Sequence, residues 1–166
     1  MKYSTPNSLQ HLLSIGKFDI PDESAMQAFG TKLAHLLTGS TLITLSGELG
    51  AGKSVLVRAM IHALGYEGRV KSPTYTLIEL YDIGCHEHLA PECAGQTHLQ
   101  AAHLDLYRLA DPDELDYLGF TDLLVTCNLI LIEWPEKGEG RLPKADLHVD
   151  ILYTEEGARE LTIAIP

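Results

Sequence analysis

The chain has 166 residues, a formal net charge of −11 and 45% hydrophobic residues, which fits one compact domain with a sizeable core. No run of about eighteen apolar residues predicts a membrane span, the first residues do not resemble a signal peptide, and the three cysteines have no disulfide-scaffold spacing. We therefore expect a cytoplasmic protein without membrane contact, and the acidic charge disfavours binding of nucleic acid by this chain alone.

The first half of the chain predicts a helix, a strand and a second helix. We assign residues 1–20 to an N-terminal extension and residues 21–166 to a single domain. Apart from the short run "KFDI", the extension is weakly patterned. The segment "PDESAMQAFGTKLAHLL" has apolar residues at helical spacing behind acidic residues that suit a helix start. "TLITLS" predicts a buried strand, and "KSVLVRAMIHAL" predicts a helix that Gly65 ends.

The second half predicts strands, one more helix and a terminal hairpin. "TLIELYDI" and "HLDLYRL" predict strands, and residues 83–102 between them are long enough to be an insertion. "DPDELDYLGF" predicts a helix start with Asp111 as cap. "NLILIEW" predicts a buried strand, and "DLHVDILY" and "RELTIAI" an antiparallel hairpin. The fold class is therefore α/β, a three-layer sandwich with a mixed sheet and a C-terminal antiparallel hairpin.

The stretch "GELGAGKS" matches the phosphate-binding loop of nucleoside triphosphatases. Gly47 is followed after four residues by Gly52, Lys53 and Ser54, between a predicted strand and a predicted helix. Such glycines let successive backbone N–H groups point at a phosphate, near the positive end of the helix dipole. Lys53 would contact the β- and γ-phosphates, and Ser54 would hold Mg²⁺. The alternative is a glycine-rich turn with a solvated lysine.

A phosphate loop also needs a carboxylate that organises metal or water. Glu133 ends the apolar strand "LILIE" and is the first candidate, and Asp105 in "HLDLYR" is the second. Thr74, in "KSPTYT", offers a hydroxyl of the kind that sensor loops use to contact metal and γ-phosphate. The alternatives are surface carboxylates and a plain turn.

The motifs together resemble one family. No N-K-x-D guanine reader is present, so ATP is preferred over GTP, and no L-S-G-G-Q signature is present. In chain order, "GELGAGKS", "VKSPTYTLIELY", "HLDLYRL", "DELDYLGF" and "IEWPEKGEGRLP" are similar to the tRNA threonylcarbamoyladenosine biosynthesis ATPase family, TsaE, also called YjeE. The resemblance runs from about Pro21 to Arg159 and implies a fold like that of P-loop NTPases.

The resemblance implies a Mg²⁺-dependent ATPase of low intrinsic activity. It would act with the TsaB and TsaD proteins, and with tRNA through that complex, to place a threonylcarbamoyl group on N6 of the adenosine beside the anticodon in tRNAs reading A-starting codons. It implies catalytic roles for Lys53, Thr74, Asp105 and Glu133, and metal binding by Ser54 and Glu133. The implied nucleotide contacts are Glu23, Leu49, Gly50, Ala51, Gly52, Lys53, Ser54, Trp134 and Arg159.

Three features lie outside this assignment. The insertion carries Cys85, His86, His88, Cys93 and His98, possible zinc ligands whose spacing matches no standard zinc finger. His103 lies within a motif of the family, and we interpret it as structural. No arginine finger is evident, so we expect slow hydrolysis by the chain alone. Two alternatives to the partner-activated ATPase stay open: a small-molecule or nucleoside kinase, for which residues 83–102 offer no arginine-bearing lid, and a non-catalytic module that senses ATP.

Overall fold

A computed structural model of the chain describes residue 10, residues 12 and 13, residues 16–84, residue 89 and residues 98–166. Within these residues the strands are β1 (Lys17–Ile20), β2 (Thr41–Gly47), β3 (Ile78–Gly84), β4 (His98–Asp105), β5 (Leu129–Glu133), β6 (Leu147–Tyr153) and β7 (Arg159–Ala164). The helices are α1 (Glu23–Leu36), α2 (Lys53–Ala63), α3 (Glu114–Tyr117) and α4 (Phe120–Thr126), with a 3₁₀ turn at Pro135–Gly138. In this part of the chain no helix is long and apolar enough to span a membrane.

The described strands form one mixed sheet in the order β1-β7-β6-β2-β5-β4-β3. The central strand β2 is parallel to both neighbours, β5 and β6, and β5 is parallel to β4. The pairs β3–β4, β6–β7 and β1–β7 are antiparallel. Parallel strands bring their carboxyl ends to one edge of the sheet, and ligands of open α/β sheets bind at such an edge. The chain therefore places the ends of β2, β4 and β5 side by side.

Helices α1 and α2 cover one face of the sheet. Asp22 caps α1 by accepting a hydrogen bond from Ala25 N at 2.8 Å. The apolar residues of α1 and α2 pack with alternate residues of the strands, including Ile43 and Leu131, in one core cluster. Gly65, at φ +90°, follows α2 as the sequence predicts. The predicted first helix, first buried strand and second helix are all confirmed.

The other face of the sheet is covered by α3, α4 and the loops around them. Leu115 and Phe120 pack there against strand residues such as Leu42 and Ile130. This arrangement completes the predicted three-layer sandwich, and the terminal hairpin is confirmed as β6–β7. The helix at "DPDELDYLGF" is shorter than predicted, since Gly119 at φ +72° separates α3 from the unpredicted α4. Asp111 caps this turn as predicted: its Oδ1 accepts from Asp113 N at 2.9 Å, and Glu114 Oε1 accepts from Asp111 N at 2.9 Å, although the helix itself begins only at Glu114.

The predicted bounds of the extension and of the insertion do not coincide with the ends of the observed strands. The extension, residues 1–20, includes β1, which pairs with β7 and belongs to the sheet of the domain. The predicted insertion, residues 83–102, overlaps the last residues of β3 and the first residues of β4, which begins at His98. Strand β4 ends at Asp105 rather than continuing through "LYRL". Residues 85–88 and 90–97 lie outside the described residues.

The contact between α1 and α2 depends on a glycine in the middle of α1. A Cβ at Gly30 would lie 2.9 Å from Ala59 Cβ and 2.9 Å from the backbone oxygen of Leu56. We expect Gly30→Ala to lower the free energy of unfolding by about 1–2 kcal/mol, because overpacking outweighs the gain in helix propensity. Thr31→Ala, on the exposed side of α1, is the control. Thermal unfolding measures both, and a midpoint for Gly30→Ala equal to or above that of the control would contradict the packing argument.

Candidate functional site

The loop between β2 and α2 is shaped by three glycines. Gly47, Gly50 and Gly52 have φ values of +142°, +80° and +113°, in the region where side chains are rarely tolerated. A Cβ at Gly47 would lie 2.5 Å from the backbone oxygen of Ile151 on the neighbouring strand β6. The loop therefore turns sharply at the carboxyl end of the central strand and ends at the first residues of α2.

Lys53 lies inside this loop rather than in solvent. Its side chain is buried, and its Nζ donates hydrogen bonds to the backbone oxygens of Gly47 at 2.6 Å and Glu48 at 2.9 Å. The same Nζ lies 4.0 Å from the ring centroid of Trp134. An ammonium group has three donors, so the two bonds to the loop leave one for a ligand.

Burial disfavours the charged form of Lys53. Burial lowers the pKa of Lys53 below 10.5, and the nearby carboxylates of Glu133 and Asp105 oppose that change. The lowered pKa means that the loss of hydration on burial outweighs the attraction of these carboxylates. A bound anion at the loop would favour the charged ammonium further.

Glu133, at the end of β5, is the most heavily bonded side chain of the site. It is 2% exposed, and its Oε1 and Oε2 lie 2.8 and 3.1 Å from Ser54 Oγ, which donates to them. His103 Nε2, on β4, lies 2.8 Å from Glu133 Oε1. The carboxylate thus joins the start of α2 to two strands of the sheet. Its position at the end of "LILIE" predicts the contact with the loop but not the contact with His103.

Asp105 and Thr74 form a second polar pair beside Glu133. The register of β4 and β5 places Asp105 directly opposite Glu133. Asp105 is buried; its Oδ2 accepts from Thr74 Oγ1 at 3.2 Å and its Oδ1 accepts from Tyr107 N at 3.1 Å. Thr74 Oγ1 also lies 2.9 Å from Ser72 Oγ. The segment that carries Thr74 is therefore tied to the end of β4 by a hydroxyl.

Trp134 continues the site beyond Glu133. It has φ +57° and ψ +52°, an uncommon conformation for a non-glycine residue, and its N donates to Leu45 O at 3.2 Å. Its ring lies 4.8 Å from that of Tyr107, between the centroids. This backbone conformation turns the chain away from the sheet at the point where the ring faces Lys53 Nζ.

These side chains line one pocket. Lys53 is the only cation among its lining residues in the described part of the chain, which are Leu49, Gly50, Gly52, Lys53, Ser54, Val55, Ser72, Thr74, Asp105, Tyr107, Glu133 and Trp134. Ala51, within the loop, is fully buried and does not line the pocket. The sequence-predicted residues from Leu49 to Ser54, with Thr74, Asp105, Glu133 and Trp134, therefore come together at the carboxyl edge of the sheet.

Glu23 and Arg159 lie apart from this pocket. Both line a neighbouring cavity that shares Gly50, Gly52 and Val55 with the first pocket. Arg159, at the start of β7, donates from Nε to Ala51 O at 3.2 Å. The phosphate loop thus separates Glu23 and Arg159 from Glu133 and Asp105, and these two residues have a peripheral position.

The oxygens of Ser54 and Glu133 are the atoms that suit a small divalent cation. Mg²⁺ prefers oxygen ligands and uses few protein groups beside the phosphates of its substrate. Among the described residues, no cluster of three or more histidine, cysteine, aspartate or glutamate side chains forms a metal site. Cys85, His86, His88 and Cys93 lie outside the described residues, as does the side chain of His98.

Two residues that the sequence analysis does not single out, Tyr107 and Ser72, line the pocket. His103, interpreted as structural, bonds to Glu133. The motif "HLDLY" contained a signal, because alternate residues of a strand share a face and His103 precedes Asp105 by two. A polar residue at that spacing inside a buried strand indicates a shared polar cluster.

The burial of Lys53 has a measurable effect on stability. Below its lowered pKa both the folded and the unfolded chain carry the proton, so the cost of burying the charge is present in full. As pH rises through that pKa toward 10.5, the folded chain loses the proton first and wild-type stability rises. We expect the unfolding midpoint of Lys53→Met, relative to wild type, to decrease over that window.

Thermal unfolding at a series of pH values measures the trend. Lys32→Met, on the exposed side of α1, corrects for the loss of a lysine, and by itself should change stability by no more than about 0.5 kcal/mol. An advantage of Lys53→Met that grows with pH would contradict the assigned cause.

Comparison with known proteins identifies the family. The family model described as threonylcarbamoyl adenosine biosynthesis protein TsaE matches residues 20–161. Proteins named tRNA threonylcarbamoyladenosine biosynthesis protein TsaE are similar to this chain: that of Haemophilus influenzae is 45% identical over 82% of each chain, and that of Treponema pallidum 28% over 82% of this chain and 90% of its own. The crystal structure of YdiB from Bacillus subtilis shares the fold at a TM-score of 0.66 and 24% identity, over 90% of this chain and 85% of its own. The chain belongs to the TsaE family of threonylcarbamoyl adenosine biosynthesis proteins.

Proposed function

We propose that this protein is a Mg²⁺-dependent ATPase that supports N6-threonylcarbamoylation of the adenosine beside the anticodon in tRNAs reading A-starting codons. It would act in the cytoplasm, in a complex with TsaB and TsaD, and would meet tRNA through that complex. Family membership supports the role in threonylcarbamoyladenosine biosynthesis. The hydrolytic step is supported by the site.

One observation carries the proposal: a buried carboxylate, Glu133, bonded to the first hydroxyl of α2, Ser54, beside the ammonium of Lys53. In nucleoside triphosphatases with this loop, the Ser or Thr hydroxyl and an acidic residue at a strand end hold Mg²⁺. The spacing of 2.8 Å between the two side chains fits that pair. A purely structural turn would not require the carboxylate of Glu133 and the ammonium of Lys53 to be buried.

The residues of the loop divide the binding of a triphosphate among them. The backbone N–H groups of Leu49, Gly50 and Gly52 would donate to the phosphates, since that of Ala51 bonds to Glu48 O at 3.1 Å. Lys53 would use its remaining donor on them. Ser54 and Glu133 would hold Mg²⁺, whose charge would stabilise the oxygens of the transferred phosphoryl group. Trp134 would limit water access at the mouth of the pocket, and Glu23 and Arg159 would contact the nucleotide from the far side of the loop.

Asp105 and Thr74 would control the attacking water. The Asp105 carboxylate accepts bonds from Thr74 Oγ1 and Tyr107 N and retains lone pairs that can accept from water. Release of the Thr74 hydroxyl toward a γ-phosphate would free Asp105 Oδ2 for that role. The pair therefore couples the position of the 71–76 segment to the orientation of water.

The pocket is short of positive charge for efficient catalysis. An arginine that stabilises the transition state is worth roughly 10³–10⁵ in rate, and among the described lining residues Lys53 is the only cation. Arg108 lies instead 4.4 Å from the ring centroid of Tyr75, and Arg58 is exposed on α2. A partner that supplies a cation, or reorders the Tyr75 segment, would raise the rate.

The proposal is tested by steady-state ATP hydrolysis of the chain alone and with TsaB, TsaD and substrate tRNA. We expect a low basal rate that rises with the partners. Glu133→Gln should lower the stimulated rate on the order of 10²–10³-fold, since it removes charge at the metal. Glu139→Gln, exposed six residues later, is the matched control and should retain the rate.

The possible results separate the alternatives. A high basal rate that ignores the partners, or full activity of Glu133→Gln, would refute the partner-activated ATPase. Negligible hydrolysis throughout, with ATP-dependent assembly intact in Glu133→Gln, would favour a module that senses ATP. Phosphoryl transfer to a small acceptor would favour a kinase.

The Thr74 hydroxyl gives a second test of the same mechanism. We expect Thr74→Val to lower partner-stimulated kcat by about 10²-fold while ATP affinity changes little, because the hydroxyl would act mainly in the transition state. Thr76→Val is the matched control, since Thr76 Oγ1 bonds to Glu79 outside the pocket. Equal losses in both variants would indicate a general effect on the segment and contradict the role of Thr74.

A further inference from the structure

We propose that His103 is a positioning residue that holds the Glu133 carboxylate in the orientation needed to bind Mg²⁺. The inference rests on the proposed function of Glu133 and Ser54. It starts from a contact between two buried side chains: His103 is 1% exposed, Glu133 is 2% exposed, and His103 Nε2 lies 2.8 Å from Glu133 Oε1.

The sheet places His103 on the inner side of Glu133. In the parallel pair β4–β5, His103 lies opposite Leu131, and Asp105 lies opposite Glu133. Alternate residues share a face, so His103 and Asp105 point to the same side of the sheet as Glu133 and α2. His103 is therefore one step deeper than Asp105. It approaches the carboxylate from within the sheet, whereas Ser54 approaches from the loop.

The hydrogen-bonding groups determine the direction of this contact. An ionised carboxylate only accepts hydrogen bonds, so the proton lies on His103 Nε2. His103 Nδ1 is buried and has no hydrogen-bond partner among the described residues. A proton on Nδ1 would have no acceptor there, so the geometry fits the neutral tautomer. A neutral donor orients the carboxylate without cancelling its charge, which an arginine or lysine in the same place would do.

The His103 contact also differs from the Ser54 contact in what it leaves free. The single hydroxyl proton of Ser54 is shared between the two oxygens of Glu133, at 2.8 and 3.1 Å. The bond from His103 goes to Oε1 alone and does not involve Ser54. It can therefore persist when Ser54 Oγ turns a lone pair to a cation, and it leaves Oε2 available. Partners of this kind, behind a metal-binding carboxylate, typically contribute 10–100-fold in metal affinity.

A role confined to packing makes a different prediction. A buried histidine that only fills the core would, when replaced, lower stability and alter nucleotide affinity equally with and without Mg²⁺. A positioning residue affects the gain in affinity that Mg²⁺ provides. The ratio of the two dissociation constants therefore distinguishes the two roles.

The experiment measures the binding of ATP labelled with a fluorophore on the ribose, in Mg²⁺ and in EDTA. His103→Phe keeps a ring but removes the donor, and His103→Gln places an amide N–H near the position of Nε2. We expect His103→Phe to reduce the Mg²⁺-dependent gain in affinity 10–100-fold with unchanged affinity in EDTA. His103→Gln should keep the Mg²⁺-dependent gain within about threefold of wild type, because its amide N–H replaces the lost donor.

The results that overturn the inference are specific. A wild-type Mg²⁺ gain in folded His103→Phe, or equal loss of affinity in Mg²⁺ and EDTA, would refute positioning by His103. If His103→Phe does not fold, His103→Asn replaces it, because its shorter amide does not extend to Glu133; equal Mg²⁺ gains for Asn and Gln would then refute the inference. If wild type shows no Mg²⁺ gain, or Glu133→Ala keeps it, the proposed function itself fails and the inference fails with it.

A second measurement needs no nucleotide. Long-range ¹H–¹⁵N correlation spectra report which imidazole nitrogen carries the proton. We expect His103 protonated on Nε2 alone in wild type, with the Nε2 proton shifted in Glu133→Gln and unchanged in the exposed control Glu139→Gln. A proton on Nδ1 alone would overturn the proposed contact.

Discussion

The buried carboxylate of Glu133 is the constraint on which the site depends. A carboxylate that is 2% exposed must be hydrogen-bonded, and its described partners come from two other elements: Ser54 at the start of α2 and His103 on β4. Satisfying it therefore sets where α2 begins relative to the sheet. The phosphate loop has a defined shape because β2, which precedes it, and Ser54, which ends it, are both held at this edge of the sheet.

The sequence could predict the parts of the fold that depend on local signals. The helices α1 and α2 follow from apolar periodicity, from the acidic residues at the start of α1 and from Gly65 as a stop, which all act within a few residues. The phosphate loop is equally local, because its glycines and Lys53 are adjacent. The neighbourhood of Asp105 and Glu133 could be expected from parallel strand ends.

The parts that the sequence did not predict depend on distant contacts. The strand β1 forms because Lys17–Ile20 pair with β7, more than a hundred residues away, and Lys17 bonds to Glu160 at 2.8 Å. The contact of His103 with Glu133 requires the register of β4 on β5, which no local pattern specifies. The separation of α3 from α4 depends on a left-handed conformation at Gly119. A glycine at this position would equally fit the end of one longer helix, so the local sequence does not distinguish the two arrangements.

Trp134 gives the site an optical property. It is the single tryptophan of the chain, and the Lys53 ammonium lies 4.0 Å from its ring centroid. Indole emission responds to charges held against the ring, and excitation at the red edge of the absorption band avoids the tyrosines. With that excitation, the fluorescence of this protein comes from its pocket, and displacement of the Lys53 ammonium would change the emission without a label.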